Sequence, residues 1–172
     1  KGGDLRVYRA RVIGAHAAIL AANPKALVLG PEVSQHALAN GWYADVMNDV
    51  GDLFDVVTVH WYADGPSLEH LMADLGRPFA GDKPVWLSDT GMSPFASVFG
   101  EVGQALHVQR VLNAFLPRRD WWTGVSFYDL HEDPAGKECG EAITRPDWSN
   151  RPAFRLYQSF IRANPEPSPL NP

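Results

Sequence analysis

Four short apolar segments alternate with amphipathic stretches along the chain, and this alternation constrains the fold more than any other feature. The segments lie near residues 28, 58, 87 and 126, roughly 30 to 40 residues apart, which suits a strand, a crossover helix and their connections. Strands joined by crossover helices lie parallel in one sheet. The sequence therefore predicts an α/β protein built from parallel βα units.

The boundaries of these elements follow from apolar spacing and from the breakers at their ends. Three-and-four spacing predicts helices over residues 5–22, 42–50, 67–75, 102–115 and 152–163. Short β-branched or apolar runs predict strands over residues 25–31, 55–60, 85–88 and 124–128, and residues 77–82 are expected to form a loop.

Right-handed crossovers in sequence give either an open sheet or an arc of a (β/α)8 barrel. The chain contains neither GxGxxG nor GxxxxGK[ST], so nothing supports an open sheet that cradles phosphates. We therefore predict that residues 1–163 form half of a (β/α)8 (TIM) barrel, followed by a Pro-rich tail at 164–172. A closed barrel ordinarily takes about 250 residues, more than the 172 of this chain.

Composition excludes several classes of function. A net charge of -5 disfavours a nucleic-acid partner, because phosphate binding draws on clustered Lys and Arg. The single cysteine, Cys139, excludes an internal disulfide framework and any CxxC motif. No apolar run approaches the roughly 18 residues of a membrane span, and no sequence feature fixes the compartment.

Polar residues stand where the predicted strands end. Asp89 follows the strand at 85–88, His60 ends the strand at 55–60, and Glu32 follows the strand at 25–31. The carboxyl edge of a parallel sheet is where catalytic side chains converge, so Asp89 is a candidate catalytic carboxylate. The alternative is that Asp89 caps the next segment, a common use of aspartate.

Other residues are weaker candidates. Trp86 lies inside a strand and is expected in the core, whereas aromatic residues at strand ends are suited to stacking on sugar rings. The triplet at 131–133 could bind a cation, but the six histidines show no His-x-x-x-His spacing and a solvated loop is the preferred interpretation. No GxSxG motif is present, and we expect neither a metal nor a cofactor.

Taken in order, the segments resemble the second half of a retaining glycoside hydrolase of the large clan A of (β/α)8 enzymes. The resemblance covers almost the whole chain, as the fifth to eighth strands. It rests on the motifs Leu27-Val28-Leu29-Gly30-Pro31, Val57-Thr58-Val59-His60-Trp61-Tyr62, Lys83-Pro84-Val85-Trp86-Leu87-Ser88-Asp89-Thr90-Gly91, Val125-Ser126-Phe127-Tyr128-Asp129-Leu130 and Arg151-Pro152-Ala153-Phe154.

The resemblance implies hydrolysis of O-glycosidic bonds, with Asp89 in the position of the nucleophile. It also implies a group of substrate-binding residues: His60, Trp61, Tyr62, Glu32, Tyr128 and Asp129. Two features depart from the family pattern. The family nucleophile is Glu, whereas this chain has Asp89, whose side chain is one methylene shorter and holds its carboxylate about 1.5 Å further back. This difference matters because the retaining mechanism holds its two carboxyl groups roughly 5–5.5 Å apart. The family's acid/base Glu follows an Asn, and no Asn-Glu pair occurs in this chain.

Two further interpretations stay open. The chain is either a catalytically impaired carbohydrate-binding or structural half-barrel that self-associates, or one piece of a longer polypeptide. Half a barrel leaves strand edges unpaired, and we expect it to leave one apolar strand face uncovered, formed by Leu27, Val57, Val59, Val85 and Leu87. The expected partners are a carbohydrate and either a second copy or the N-terminal half of a barrel.

Overall fold

The computed structural model describes residues 4–62, 67–132 and 140–165. Four parallel strands form one sheet in the order β1-β2-β3-β4: β1 Leu29–Val33, β2 Val56–His60, β3 Val85–Thr90 and β4 Trp122–Phe127. Helical segments separate the strands along the chain. The predicted α/β fold class, parallel βα units that form half of a (β/α)8 barrel, is confirmed.

Three predicted helices have their predicted bounds. The helices are α1 Leu5–Ala22, α2 Gln35–Ala39, α3 Trp42–Val50, α4 Leu68–His70, α5 Arg77–Ala80, α6 Gly100–Phe115 and α7 Pro152–Ala163, with a π-helix at Leu71–Gly76. The agreement for α1, α3 and α7 follows from strong end signals, such as the Asp4 side chain that accepts a hydrogen bond from the amide of Arg6. None of the helices in the described ranges is long and apolar enough to cross a membrane.

Elsewhere the boundaries differ from the prediction. β1 begins at residue 29 rather than 25, because its pairing with β2 starts at Leu29 opposite Val56. β3 continues to Thr90, so Asp89 lies within the strand and does not cap a following segment. The expected loop at 77–82 is helical over Arg77–Ala80, and the short helix α2 was missed because five residues show too little periodicity.

The chain forms two compact units. Unit 1 comprises Lys1–Thr90 and Pro117–Ser126, and unit 2 comprises Gly91–Leu116 and Phe127–Pro172. Unit 1 holds β1 to β3 and most of β4. The assignment of residues 1–163 to one domain stays a prediction, and most of the Pro-rich tail, from residue 166 onward, lies outside the described residues.

The core of unit 1 corrects the expectation of an uncovered strand face. Val57, Val59, Val85 and Leu87 are each 0% exposed, and the register places Val57 opposite Val85 and Val59 opposite Leu87. The chain therefore covers these four side chains itself, and only Leu27, at 68% exposure, is left open.

Trp86 occupies the opposite side of the sheet. It is 36% exposed rather than buried in the core as expected, because alternate residues of a strand face opposite sides and its neighbours Val85 and Leu87 face the covered side. Its indole Nε1–H donates to Thr123 Oγ1 at 2.9 Å.

Unit 2 is held by an apolar cluster and a charged network. Val108, Leu112, Ile143 and Ala153 are buried together. Arg151 is 3% exposed and donates hydrogen bonds to Glu101 and Glu132, which compensates the cost of burying its charge.

Two glycines of unit 1 provide a matched test of the packing. A Cβ at Gly124 would lie 2.5–2.7 Å from three carbons of the Trp86 indole, whereas a Cβ at Gly14 in α1 meets nothing within 4 Å. We expect Gly124→Ala to lower the free energy of unfolding by about 1–3 kcal/mol through overpacking. Gly14→Ala should raise it by up to about 1 kcal/mol through helix propensity. Urea unfolding measures both, and a Gly124→Ala variant as stable as the wild type contradicts the packing described.

Candidate active site

Three titratable side chains come together at the carboxyl ends of neighbouring strands in unit 1. Glu32 lies near the end of β1, His60 ends β2, and Asp89 lies near the end of β3. Parallel strands bring their carboxyl ends to one edge of the sheet, and the register places His60 directly opposite Asp89. The structure therefore brings together three of the residues that were selected from the sequence.

Glu32 is fixed by its backbone and by its side chain. Its φ of 56° is left-handed, a conformation that costs a non-glycine residue of the order of 1–3 kcal/mol. Its amide donates to Thr58 Oγ1 at 3.0 Å. Its Oε2 atom lies 2.5 Å from His60 Nε2 and accepts a hydrogen bond from Ser88 Oγ at 2.7 Å. These contacts hold the carboxylate in one orientation.

Glu32 and His60 shift each other towards their charged forms. Burial by itself raises the pKa of Glu32, but the hydrogen bonds from His60 and Ser88 outweigh burial, so the pKa lies below its ordinary value. The hydrogen bond to Glu32 raises the pKa of His60; burial opposes the rise, and the charges of Glu32 and Asp89 add to it. The site therefore favours an imidazolium between two carboxylates.

Asp89 is the less restrained of the two carboxylates. Its Oδ2 atom lies 3.7 Å from His60 Nδ1, beyond hydrogen-bonding distance, and its side chain is 27% exposed. Its Oδ1 atom is buried and accepts no hydrogen bond within the described part of the chain. With Oδ1 buried, Oδ2 is the carboxylate oxygen that can face a reactant.

The residues after β2 take different positions. The Trp61 side chain is 1% exposed, and its amide donates to the carbonyl of Asp89 at 3.0 Å. Trp61 is thus a core residue that ties β2 to β3, with almost no ring surface left for a sugar. Tyr62 is half-buried, and its amide donates to Gln35 Oε1 at 2.6 Å.

Tyr128 and Asp129 belong to unit 2 and are described there alone. Tyr128 is 38% exposed, and the peptide bond between Tyr128 and Asp129 is cis. The carbonyl of Asp129 accepts a hydrogen bond from the amide of Ile143 at 2.9 Å. Their role in substrate binding stays a prediction.

Sequence reasoning missed two hydroxyl groups that support Glu32, those of Thr58 and Ser88. Ser88 precedes Asp89 directly, but a serine in a strand gives no local signal of which carboxylate it contacts.

The triplet at 131–133 does not form a solvated loop throughout. The side chain of Glu132 is 14% exposed and pairs with Arg151, and the His131 ring stacks on Trp148. Asp133 lies outside the described residues. In the described ranges, no group of three or more His, Cys, Asp or Glu side chains is arranged to hold a metal ion.

Comparison with solved structures defines the fold. Xylanase 10B from Thermotoga petrophila RKU-1 matches 90% of this chain and 52% of its own length, with a TM-score of 0.64 and 12% identity. A family 39 glycoside hydrolase from Bacteroides cellulosilyticus WH2 matches 91% of this chain and 38% of its own, with a TM-score of 0.62 and 17% identity. The fold of this chain is similar to part of the (β/α)8 barrel of these glycoside hydrolases.

A triple mutant of the endo-β-1,4-glucanase from Xanthomonas axonopodis pv. citri gives a similar result, with a TM-score of 0.62, 14% identity, and coverage of 94% of this chain and 57% of its own. The chain thus spans between 38% and 57% of these three structures. No protein-family model and no curated sequence matches. At identities of 12–17%, the likeness establishes the fold alone.

The ionic pair in the site predicts a pH dependence. The stabilisation from His60 is complete below its ordinary pKa of about 6.5 and is lost as pH rises through the raised pKa. The stabilisation from Glu32 is complete above its ordinary pKa of about 4.3 and is lost as pH falls through the lowered pKa. The pair therefore stabilises unit 1 most between about pH 4.3 and 6.5.

NMR titration of the His60 ring protons tests this directly. We expect a pKa above about 6.5 in the wild type and a fall towards that value in Glu32→Gln, because the neutral amide cannot stabilise the imidazolium. Asp52→Asn, which removes an exposed carboxylate elsewhere in unit 1, is the control and should leave the titration unchanged. Identical His60 titrations in wild type and Glu32→Gln would show that the two side chains do not pair in solution.

Proposed function

We propose that the chain carries the nucleophile half of a retaining glycoside hydrolase that acts on O-glycosidic bonds of oligo- or polysaccharides. The observation that carries this proposal is Asp89 at the carboxyl edge of β3, with its side chain 27% exposed and His60 opposite. The similarity of the fold to xylan- and glucan-related glycoside hydrolase structures supports the substrate class.

The proposed reaction has two steps. Asp89 Oδ2 attacks the anomeric carbon, forming a C–O bond to the enzyme while the bond to the leaving oxygen breaks with its electron pair. The leaving oxygen takes a proton from a general acid, and a water molecule later cleaves the glycosyl ester and returns the proton. The His60 imidazole, 3.7 Å from Asp89 Oδ2 and favoured in its charged form, lies beside the attacking carboxylate.

Glu32 is unsuited to be the general acid. A carboxyl group serves as acid near neutral pH when its pKa is raised, but the hydrogen bonds from His60 and Ser88 lower that of Glu32. We therefore assign Glu32 to positioning and charging His60. The acid/base carboxylate in this proposal is therefore not Glu32 or Asp89 and comes either from the N-terminal half of a barrel or from another chain.

A second function, sugar binding without turnover, is favoured by the shorter nucleophile. Aspartate retracts the reactive oxygen by about 1.5 Å compared with glutamate, and the chain contains no Asn-Glu pair. A half-barrel that binds carbohydrate and associates with a second copy would keep the site and lose catalysis.

Covalent trapping tests the nucleophile without the missing acid. A 2-deoxy-2-fluoro-β-glycoside with a dinitrophenolate leaving group needs no protonation to depart, so Asp89 alone should form the ester. We expect intact mass spectrometry to show one added glycosyl group on the wild type and none on Asp89→Ala. Asp89→Glu should react faster because the longer side chain restores the reach of the family's glutamate.

Asp52→Asn serves as the matched control, since it removes an exposed carboxylate away from the site. Labelling of Asp89→Ala at the wild-type rate would exclude Asp89 as the nucleophile, and peptide mapping would then test Glu32. A failure of every variant to react, together with saturable binding of the same sugars, would favour the binding function.

Association is expected from the sheet edges. β1 and β4 each have a single neighbour in the four-stranded sheet, and unpaired strand edges promote association. Light scattering at micromolar concentration should therefore give a mass above the 19.0 kDa of one chain. A stable, monodisperse monomer would show that the edges are covered within this sequence.

A further inference from the structure

Unit 2 exposes a group of large apolar side chains at the start of α6. Phe95 is 75% exposed, Val98 93%, Phe99 69%, Val102 60% and Leu106 54%; these five side chains are called the α6 patch. A phenylalanine side chain has about 150–250 Å² of surface, so two that are mostly exposed supply on the order of 200–350 Å². With three aliphatic side chains added, the patch exceeds the few hundred Å² of contiguous apolar surface that a monomeric protein ordinarily exposes.

The side chains of the patch are neighbours. Phe99 is the N-cap residue of α6, and Val102 and Leu106 follow it three and seven positions later, the spacing of one helix face. A Cβ at Gly103 would lie 3.3 Å from the Cβ of Phe99 and 2.9 Å from that of Ser97. The segment before α6 therefore lies directly against the first turn of the helix.

Hydrogen bonds hold that segment in one conformation. Ser93 Oγ accepts from the amide of Phe95 at 3.2 Å, and Ser97 Oγ accepts from the amide of Phe99 at 3.1 Å. The carbonyl of Ser97 also accepts from the amide of Gly100 at 3.0 Å. Because the segment is already ordered, its apolar side chains lose little conformational entropy when they bind a partner.

The charged residue within this part of the chain is already paired. Glu101 is the sole Asp, Glu, Lys or Arg between residues 91 and 109, and its carboxylate lies 2.6 Å from Arg145 and 3.2 Å from Arg151. The guanidinium carbon of Arg151 lies over the Phe95 ring, 5.7 Å from its centroid. Arg110 is the next charged residue along α6. The centre of the patch is therefore apolar and carries no free charge.

This charge distribution selects among the classes of partner. An anionic membrane or an acidic protein is bound through clustered Lys and Arg, and a basic protein through free carboxylates, whereas the patch offers neither. A surface without free charge can meet a copy of itself without like-charge repulsion, even in a chain with a net charge of -5. Interfaces between identical chains are also more apolar than other interfaces.

We propose that the α6 patch is the contact surface of a two-fold symmetric dimer of this chain. In an isologous contact the same patch serves both copies, so the apolar stripe of one α6 packs on that of the other. A stable interface buries about 800 Å² per partner, and its buried centre is its most apolar part, which the patch supplies. The contact uses none of the site residues of unit 1 and is distinct from pairing at the sheet edges.

Sedimentation velocity at micromolar concentration tests the dimer. We expect the wild type to sediment with twice the 19.0 kDa mass of one chain. Leu106→Glu should weaken the dimer at least about thirtyfold, the scale of an interface hot spot, whereas Leu106→Met should stay within about threefold of the wild type because it conserves volume. Glutamate and leucine have similar helix propensities, so Leu106→Glu should fold, and circular dichroism checks that it does.

Ile161→Glu is the matched control. Ile161 is 51% exposed on α7 of the same unit, so the variant adds the same charge at a similarly exposed helical position and should leave the dimer unchanged. A wild type that stays monomeric at high micromolar concentration would overturn the proposal, as would equal weakening by Ile161→Glu. A folded Leu106→Glu variant that associates as the wild type does would assign the association to another surface, such as the sheet edges, and would also overturn it.

A mixing experiment tests the two-fold symmetry. A trace of fluorescently labelled wild type should sediment as a dimer with excess unlabelled wild type and as a monomer with excess Leu106→Glu, because an isologous contact needs an intact patch on both copies. Dimers of labelled wild type with Leu106→Glu would show that the patch binds a different surface, which contradicts the proposal. So would binding of a monomeric wild type to phosphatidylcholine vesicles that Leu106→Glu abolishes, since the patch would then be a lipid contact.

Discussion

The parallel pairing of β2 with both of its neighbours is the interaction on which the rest of unit 1 depends. β2 lies between β1 and β3, and its first four residues, Val56 to Val59, are buried on both faces of the strand. A slip of one residue would send every side chain to the opposite face and would break the match of Val57 with Val85 and of Val59 with Leu87. The same register brings His60 opposite Asp89 and within reach of Glu32.

The site concentrates charge that the fold must compensate. The carboxylates of Glu32 and Asp89 lie on either side of the His60 imidazole. The hydrogen bond between Glu32 and His60 stabilises this arrangement because it favours the ionised form of both side chains. Asp89 receives less support, since its contact with His60 is longer and its Oδ1 atom is buried without a hydrogen bond in the described ranges. A carboxylate held close to a cation, yet not fully satisfied, is suited to nucleophilic attack.

Unit 1 has a core of its own, because the chain itself covers the strand face formed by Val57, Val59, Val85 and Leu87. Its site, by contrast, holds no carboxyl group with a raised pKa among Glu32 and its partners: hydrogen bonds from His60 and Ser88 lower the pKa of Glu32. The proposed hydrolysis therefore depends on an acid other than Glu32.

The sequence by itself determined the alternation of strands and helices, the bounds of α1, α3 and α7, and the candidates Asp89, His60 and Glu32, since periodicity, end caps and strand ends are local signals. Tertiary structure alone decided which aromatic ring is buried: Trp61 lies in the core and Trp86 on the open side of the sheet. It also decided that His131 stacks on Trp148 and that Ser88 contacts Glu32. These outcomes depend on strand register and on contacts between residues far apart in sequence, which no local pattern encodes.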